Sequence, residues 1–395
     1  MDDENAEVVS LPQAPDAIEL RHLRAFVAVA DELNFGRAAA RLYLSQPALS
    51  RQIRSLERLV GCDLLRRSTH RVELTLAGEA LLDRARGLLR DVDEAVSATR
   101  SVGGELLARI ARHWETFAVV NPADLQELRV AYEGLHGQFE PPPGINVRSV
   151  NAGGVPGLLL TPQPGEPATL LYLHGGGHIA GSAFGYRPLA GALAEQAGTG
   201  VVVPDYRLAP EHPFPAALED AVRAYRWLLD RGAARVTVAG DSSGCSLVLS
   251  FLLSVKQQGL PRPAGAILFC PWVDLPAAGR DRPPSDLDDI RRAACGLYLA
   301  GHPADDPLVS PLSADLGGLP PMLVQAATGD PLLDEARELT DHAQDCGVAA
   351  SFELFPVDTH DFHIFWSFLP EAAQALQQAG RFARDTTLAA QADTG

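Results

Sequence analysis

Three consecutive prolines and a glycine, Pro141-Pro142-Pro143-Gly144, constrain this chain more than any other feature, because no helix continues through them and the residues on either side follow different periodicities. Between Ile18 and Phe139 apolar residues recur at helical spacing, and the only prolines are Pro47 and Pro122. After the prolines, short β-rich runs at 169–173, 200–204, 235–239, 264–270, 322–327 and 351–355 alternate with helical stretches. That alternation predicts a largely parallel sheet with helices on both faces. At 395 residues the chain also exceeds what one hydrophobic core commonly serves, so at least two domains are expected. No apolar run approaches the roughly 18 to 20 residues needed to span a bilayer. Residues 1–17 carry Asp2, Asp3, Glu4 and Glu7 without a basic or apolar export signature, which predicts a solvated tail and a cytoplasmic protein. The five cysteines (62, 245, 270, 295 and 346) are scattered, with no C-x-x-C pair. They are read as reduced packing residues, and neither a disulfide framework, a metal site nor a cofactor is implied.

A net charge of -17 would count against nucleic acid, but the average conceals a local reversal. Between Asn34 and Val72 eight arginines stand against Glu57 and Asp63. The same stretch reads as helix (36–42), turn (Tyr43-Leu44) and a second helix capped by Ser45, with Pro47 tolerated in its first turn. Leu49, Ile53, Leu56 and Val60, spaced four, three and four apart, are expected to face the core. Gln46, Pro47, Ser50, Arg51 and Arg54 are then left outward, a set suited to a major groove, where Gln pairs with adenine and Arg with guanine or phosphate. From Leu76 onward Leu81, Leu82, Ala85, Leu88, Leu89, Val92 and Val96 form a helical stripe too long for a small domain to bury, implying a partner helix.

The runs 19–23, 35–39, 44–53 and 74–80 together resemble the DNA-binding domain of LysR-type transcription factors. The resemblance implies double-stranded DNA as a partner, with contacts at Gln46, Pro47, Ser50 and Arg51. It also implies a wing at 67–74 and a linker helix at 75–100 through which a homodimer or higher oligomer forms. Leu65 departs from the family's usual Phe, and the effector domain that normally follows the linker is absent. The expected division is tail 1–17, all-α winged helix-turn-helix 18–75, linker helix 76–104 with a short interruption at 101–104, and a helical cap segment 105–144 broken around Asn121-Pro122.

Acyl transfer needs a nucleophile, a base, a group that orients the base, and donors for an oxyanion, and the second half offers all four. A strand at 236–239 runs into Gly240-Asp241-Ser242-Ser243-Gly244 and then a helical stretch, the context that a nucleophile elbow requires at Ser242. His174-Gly175-Gly176-Gly177 ends an earlier strand and can aim bare amides at an oxyanion. Asp330 and His360 each follow a later strand, in the chain order Ser, Asp, His. Asp334 and His363 are nearby competitors for their roles.

With 205–216, 271–275 and 310–312, these motifs resemble the hormone-sensitive-lipase-like bacterial esterases, most closely the branch containing monoterpene lactone hydrolases, over about 145–384. The resemblance implies an α/β-hydrolase domain at 145–386, a doubly wound, mostly parallel sheet with a helical cap, a cap insertion near 276–301 and a tail at 387–395. Carried over, Ser242, Asp330 and His360 are the triad, and the amides of Gly175, Gly176 and Ser243 form the oxyanion hole. Cys245 stands where a third glycine is common, and the charged insertion leaves the acyl size open. The leading expectation is a transcriptional regulator whose effector domain binds and hydrolyses a small ester or lactone. The alternatives are an esterase whose helix-turn-helix is not regulatory, and a hydrolase fold kept as an inactive ligand-binding shell.

Overall fold

The computed structural model describes residues 18–67, 72–118, 124–163, 168–233, 235–275 and 286–392. The expected tail at 1–17 and the start of the cap insertion, 276–285, lie outside them. The chain forms two compact units, Met1–Glu105 and Leu106–Gly395.

In the first unit α1 (Leu20–Glu32), α2 (Phe35–Arg41) and α3 (Gln46–Val60) precede a two-stranded antiparallel ribbon, β1 (Leu65–Arg67) with β2 (Val72–Leu74). Asn34 caps α2 by accepting from Arg37 N at 3.0 Å, and Ser45 Oγ caps α3 by accepting from Ala48 N at 3.3 Å. Leu49, Ile53 and Leu56 are fully buried and pack with Phe26, Val29 and Ala38. Val60 departs from expectation: in the last turn before the left-handed Gly61 it is 38% exposed. Thr75 starts α4 (Leu76–Ala118), its hydroxyl accepting from Gly78 N at 3.0 Å. Gly78 is obligatory there, because a Cβ would collide with the Leu64 carbonyl. The interruption expected at 101–104 is absent, and α4 is continuous. Two glycines weaken a helix by about 1 kcal/mol each relative to alanine but keep their N–H groups, so they do not stop it as proline does. The expected break at 121–122 falls outside the described residues.

The second unit opens with the last turns of α4, from Leu106, followed by α5 (Leu125–Gly137), capped by Asp124 Oδ1, which accepts from the amides of Gln126 (3.0 Å) and Glu127 (3.1 Å). The proline run ends a helix without ending a domain, since Pro141 and Pro142 pack against Gly191 of a later helix. The sheet has eight strands: β3 (Asn146–Ala152), β4 (Val155–Thr161), β5 (Ala168–Leu173), β6 (Gly200–Pro204), β7 (Thr237–Asp241), β8 (Gly265–Phe269), β9 (Met322–Ala327) and β10 (Ala350–Phe355). Their order is β10-β9-β8-β7-β5-β6-β4-β3. The six predicted strands are mutually parallel, whereas β3 and β4 are antiparallel additions at one edge. The helices are α6 (Ala183–Ala197), α7 (Ala216–Asp230), α8 (Ser243–Gln257), α9 (Asp286–Leu299), α10 (Leu333–Asp345) and α11 (Pro370–Ala392). One core joins the sheet to α7, α8 and α10; the other joins it to α6 and α11, which continues to Ala392, into the expected tail, whose residues 393–395 lie outside the described ones. No helix among the described residues is long and apolar enough to cross a membrane.

Candidate functional site

Chain direction across the sheet reverses between β6 and β7, which lie on opposite sides of β5, and in such sheets the crevice opens at the C-terminal strand ends. The glycine run 175–177 follows β5 there, and Ser242 follows β7. Ser242 adopts φ 48°, ψ -122°, a backbone that costs a non-glycine residue of order 1–3 kcal/mol and persists only where its surroundings impose it. They do so here: its N–H donates to Phe269 O at 2.9 Å, and its carbonyl accepts from Trp272 N at 3.0 Å. A Cβ at Gly240 or Gly244 would strike the Leu173 carbonyl, so only glycine lets β7 and α8 pass this close to β5.

Ser242 Oγ is 3.0 Å from His360 Nε2, and His360 Nδ1 is 3.0 Å from each carboxylate oxygen of Asp330. A serine O–H can thus donate to an imidazole whose other N–H donates to a carboxylate. Burial alone would raise the Asp330 carboxyl, but the neighbouring His360 charge and hydrogen bonds hold it below the usual range. Burial works against a charged His360, yet Asp330 and Asp361 outweigh it and push the imidazole up to about 9. Of the competitors, Asp334 is fully exposed on α10. His363 is buried against the Phe269 ring, contacts Gln325 Oε1 through Nε2 at 3.2 Å, and is pushed down to about 3 by desolvation.

The glycine run corrects one expectation. The N–H of Gly175 donates to Asp241 Oδ1 at 2.9 Å, so it is not available to an oxyanion. Asp241 also accepts from Tyr172 (2.8 Å) and Tyr186 (2.7 Å), and burial, opposed by these bonds, pushes its carboxyl up to about 6. Gly176 lines the cleft beside Ser242 with φ 109°, and a Cβ there would meet the Ala180 carbonyl. Ser243 is the first residue of α8, where an amide has no partner within the helix. Its hydroxyl, to which the sequence assigned nothing, accepts from Gly177 N at 2.8 Å and ties the glycine run to α8.

The cleft above Ser242 encloses about 110 Å³, walled mainly by Trp114, Leu128, Ile179, Trp272, Ile290 and Leu332. Trp114 donates from Nε1 to Thr359 Oγ1 at 2.8 Å, next to His360. Arg291, buried in the same wall, pairs with Glu335, which also accepts from the amides of Val273 (3.1 Å) and Asp274 (3.2 Å). Asp361, which the sequence reading passed over, lines the cleft too. Among the described residues, Cys270, Asp330 and His360 bring three possible metal donors within 4.8 Å of one another, but His360 Nδ1 already donates to Asp330.

In the first unit Gln46, Pro47, Arg51 and Arg54 are exposed along α3 and Ser50 is half-buried. Arg37 and Arg41, by contrast, pair with Glu32 and Asp31 of α1 at 3.1 and 3.0 Å. Part of the local basic excess is therefore neutralised on α2.

Residues 170–364 match the family described as alpha/beta hydrolase fold, and residues 20–79 match the bacterial regulatory helix-turn-helix protein, lysR family. The chain is 38% identical over 290 residues to an acetyl-hydrolase of Streptomyces hygroscopicus, spanning 70% of this chain and 94% of the relative. It is 33% identical over 270 residues to an esterase of Acinetobacter venetianus, spanning 66% of this chain and 89% of that one. A solved esterase from the bacterial hormone-sensitive lipase family superposes with a TM-score of 0.65 at 36% identity, covering 71% of this chain and 98% of the other.

Proposed function

The chain belongs to the bacterial hormone-sensitive-lipase family of α/β-hydrolase esterases and carries a LysR-type helix-turn-helix ahead of that domain; from this premise we propose a DNA-binding regulator whose effector domain hydrolyses a small ester or lactone. The hydrolase is a serine carboxylesterase. The observation that carries the assignment of its chemistry is the unbroken 3.0 Å series from Ser242 through His360 to Asp330.

In the proposed reaction Ser242 Oγ attacks the acyl carbon while its proton passes to His360 Nε2, and Asp330 holds the ring so that Nε2 faces the serine. The carbonyl oxygen becomes an oxyanion and accepts from the amides of Gly176 and Ser243. Collapse breaks the ester bond, the Nε2 proton leaves with the alcohol, and a water activated by the same imidazole releases the acid. A cleft of about 110 Å³ and relatives named as acetyl-hydrolases support a short acyl group. Short-chain nitrophenyl esters test this, and hydrolysis by a Ser242→Ala variant at the wild-type rate would refute the assignment.

For the regulatory half, the exposed Gln46, Arg51 and Arg54 on α3 support reading of a major groove. Leu76, Leu88 and Leu107 are exposed along α4 and support pairing of two copies through that helix. A ligand in the cleft would touch Trp114, which lies on the helix that begins at Leu76, so ligand and DNA affinities are expected to be linked. A gel-shift titration on DNA upstream of the protein's own gene, with and without candidate esters, tests the coupling. Unchanged DNA affinity in Ser242→Ala saturated with ester would favour the second reading, an esterase with a non-regulatory helix-turn-helix.

A further inference from the structure

Asp361 places a carboxyl group where the reaction just described has no use for one. It directly follows His360, holds a left-handed backbone with φ 48°, and is 4% exposed. Its Oδ2 lies 3.3 Å from His360 Nε2, the nitrogen that faces Ser242 Oγ at 3.0 Å. Its Oδ1 is buried without a hydrogen-bond partner among the described residues, in the wall of the apolar cleft that contains Ser242. His360 is therefore flanked by carboxyl groups on both ring nitrogens, Asp330 at Nδ1 and Asp361 at Nε2.

Resting on the triad roles proposed above, we infer that Asp361 is a positioning residue that competes with Ser242 for Nε2 of His360 and so sets the pH at which the base becomes free. The chemistry follows from counting one proton. Either the Asp361 carboxylic acid donates to a neutral Nε2, or an imidazolium Nε2–H donates to the Asp361 carboxylate. In both arrangements the Nε2 lone pair is occupied and cannot accept the serine proton. Loss of that proton to solvent as pH rises leaves a neutral imidazole, with Nδ1–H on Asp330 and its Nε2 lone pair directed at Ser242.

The groups around His360 agree with this direction. Asp330, Asp361 and Asp241 all favour the imidazolium, whereas burial opposes it. His136 of α5 and His363 are each pushed down to about 3 by desolvation and stay neutral. Cys270 and Tyr132 are pushed up by burial and stay protonated. Arg291, the cation in the cleft wall, is paired with Glu335. Burial likewise raises the Asp361 carboxyl, with His360 opposing and Asp241 and Asp330 adding to the rise.

The test is the pH profile of kcat/KM for p-nitrophenyl butyrate, measured on the full chain as wild type, Asp361→Gly and Asp361→Asn. Glycine and asparagine both suit a left-handed backbone. The acid limb of the wild type is expected above the ordinary histidine value of about 6.5. In the variants it should move down by about 1 to 3 units, the usual effect of one adjacent charge. Near pH 6 the variants should therefore be faster than wild type by about tenfold or more, with alkaline plateaus within about tenfold of each other. A merely structural role would lower the rate at every pH and leave the midpoint in place.

Coincident acid limbs, or folded variants inactive throughout, overturn the inference. If neither variant folds, the chemical-shift titration of the wild-type Asp361 carboxyl carbon decides: a carboxyl that titrates together with His360 upholds the inference, and one that titrates independently of it overturns it. Wild-type protein that neither hydrolyses the ester nor reacts with a fluorophosphonate at Ser242 overturns the proposed function and this inference together. Wild-type hydrolysis with unshifted limbs overturns only the role of Asp361.

Discussion

The two units build their candidate sites in opposite ways. On α3 the groups offered to a ligand, Gln46 to Arg54, come from nine consecutive residues of one helix, and their outward direction follows from which neighbours face the core. In the hydrolase unit Gly176, Ser242, Asp330 and His360 are separated by up to 184 positions, each at the end of a different parallel strand. A helix surface tolerates replacement of one member, because the others remain in place. A site assembled from four strand ends depends on sheet register and on strained turns, so single changes there should have larger consequences.

The largest expected effect is loss of the nucleophile. Ser242→Ala should reduce kcat by 10³- to 10⁶-fold while DNA affinity stays unchanged, and hydrolysis within about tenfold of wild type in a clean preparation would break the contrast. Next is Gly244→Ala, whose new methyl meets the backbone carbonyls of Leu173 and His174, groups that cannot rotate away. It should destabilise the hydrolase unit by about 1–3 kcal/mol or more, read as a lower melting temperature, and leave the helix-turn-helix folded. Arg51→Ala should weaken operator binding by about 1–3 kcal/mol if the side chain pairs with a base, and by less, with a shallower salt dependence, if it meets phosphate. Esterase activity should not change. An effect on ester hydrolysis would show that the two sites are less separable than their construction implies.

A smaller effect is expected from pH on stability. His360 is pushed up to about 9 against the ordinary 6.5, so the stability it contributes is complete below about 6.5 and is lost as pH rises through 9. Asp361, whose carboxyl is also raised, acts in the same direction. The hydrolase transition should therefore fall between pH 7 and 9.5 while that of the helix-turn-helix stays level; a hydrolase transition that rises over this interval would refute the charge assignment. The smallest expected effect is that of Ser243→Ala, which removes the acceptor for Gly177 N but leaves the Ser243 amide. A loss of kcat/KM below tenfold would separate the hydroxyl's bracing role from the amide's, and a loss as large as that of Ser242→Ala would contradict it.

Much of this was legible in the residues themselves. The helix spacing of Leu49, Ile53 and Leu56, the Ser45 cap and the six β-rich strand runs are local patterns, and local patterns report local structure. The strand-turn-helix context of Ser242 and the positions of Asp330 and His360 after strands were legible for the same reason. Strands β3 and β4 were not: β3 is a solvent-facing edge whose residues, Asn146 to Ala152, carry no apolar run, and β4 has one only three residues long, Leu158 to Leu160, directly after Pro156-Gly157, which reads as a turn. The uninterrupted α4 was misread because glycine was given the weight of proline.

What only the tertiary structure decided is which polar groups meet across the sheet. From sequence, Gly175 and Gly176 are equivalent bare amides; the fold directs one to Asp241 and leaves the other in the cleft. Asp241 follows Gly240 in sequence, yet its carboxyl is held by Tyr172 and Tyr186 from β5 and α6. Asp361 shares a peptide bond with His360, and nothing in that adjacency says that its carboxyl turns back toward Nε2. Its backbone is left-handed, φ 48°, and the turn that holds it so against His360 exists only in the folded chain. Periodicity and turn chemistry act over a few residues and so determined the elements and their order. Hydrogen-bond partnership acts over a few ångströms between residues up to 245 positions apart, and only the fold brings those distances about.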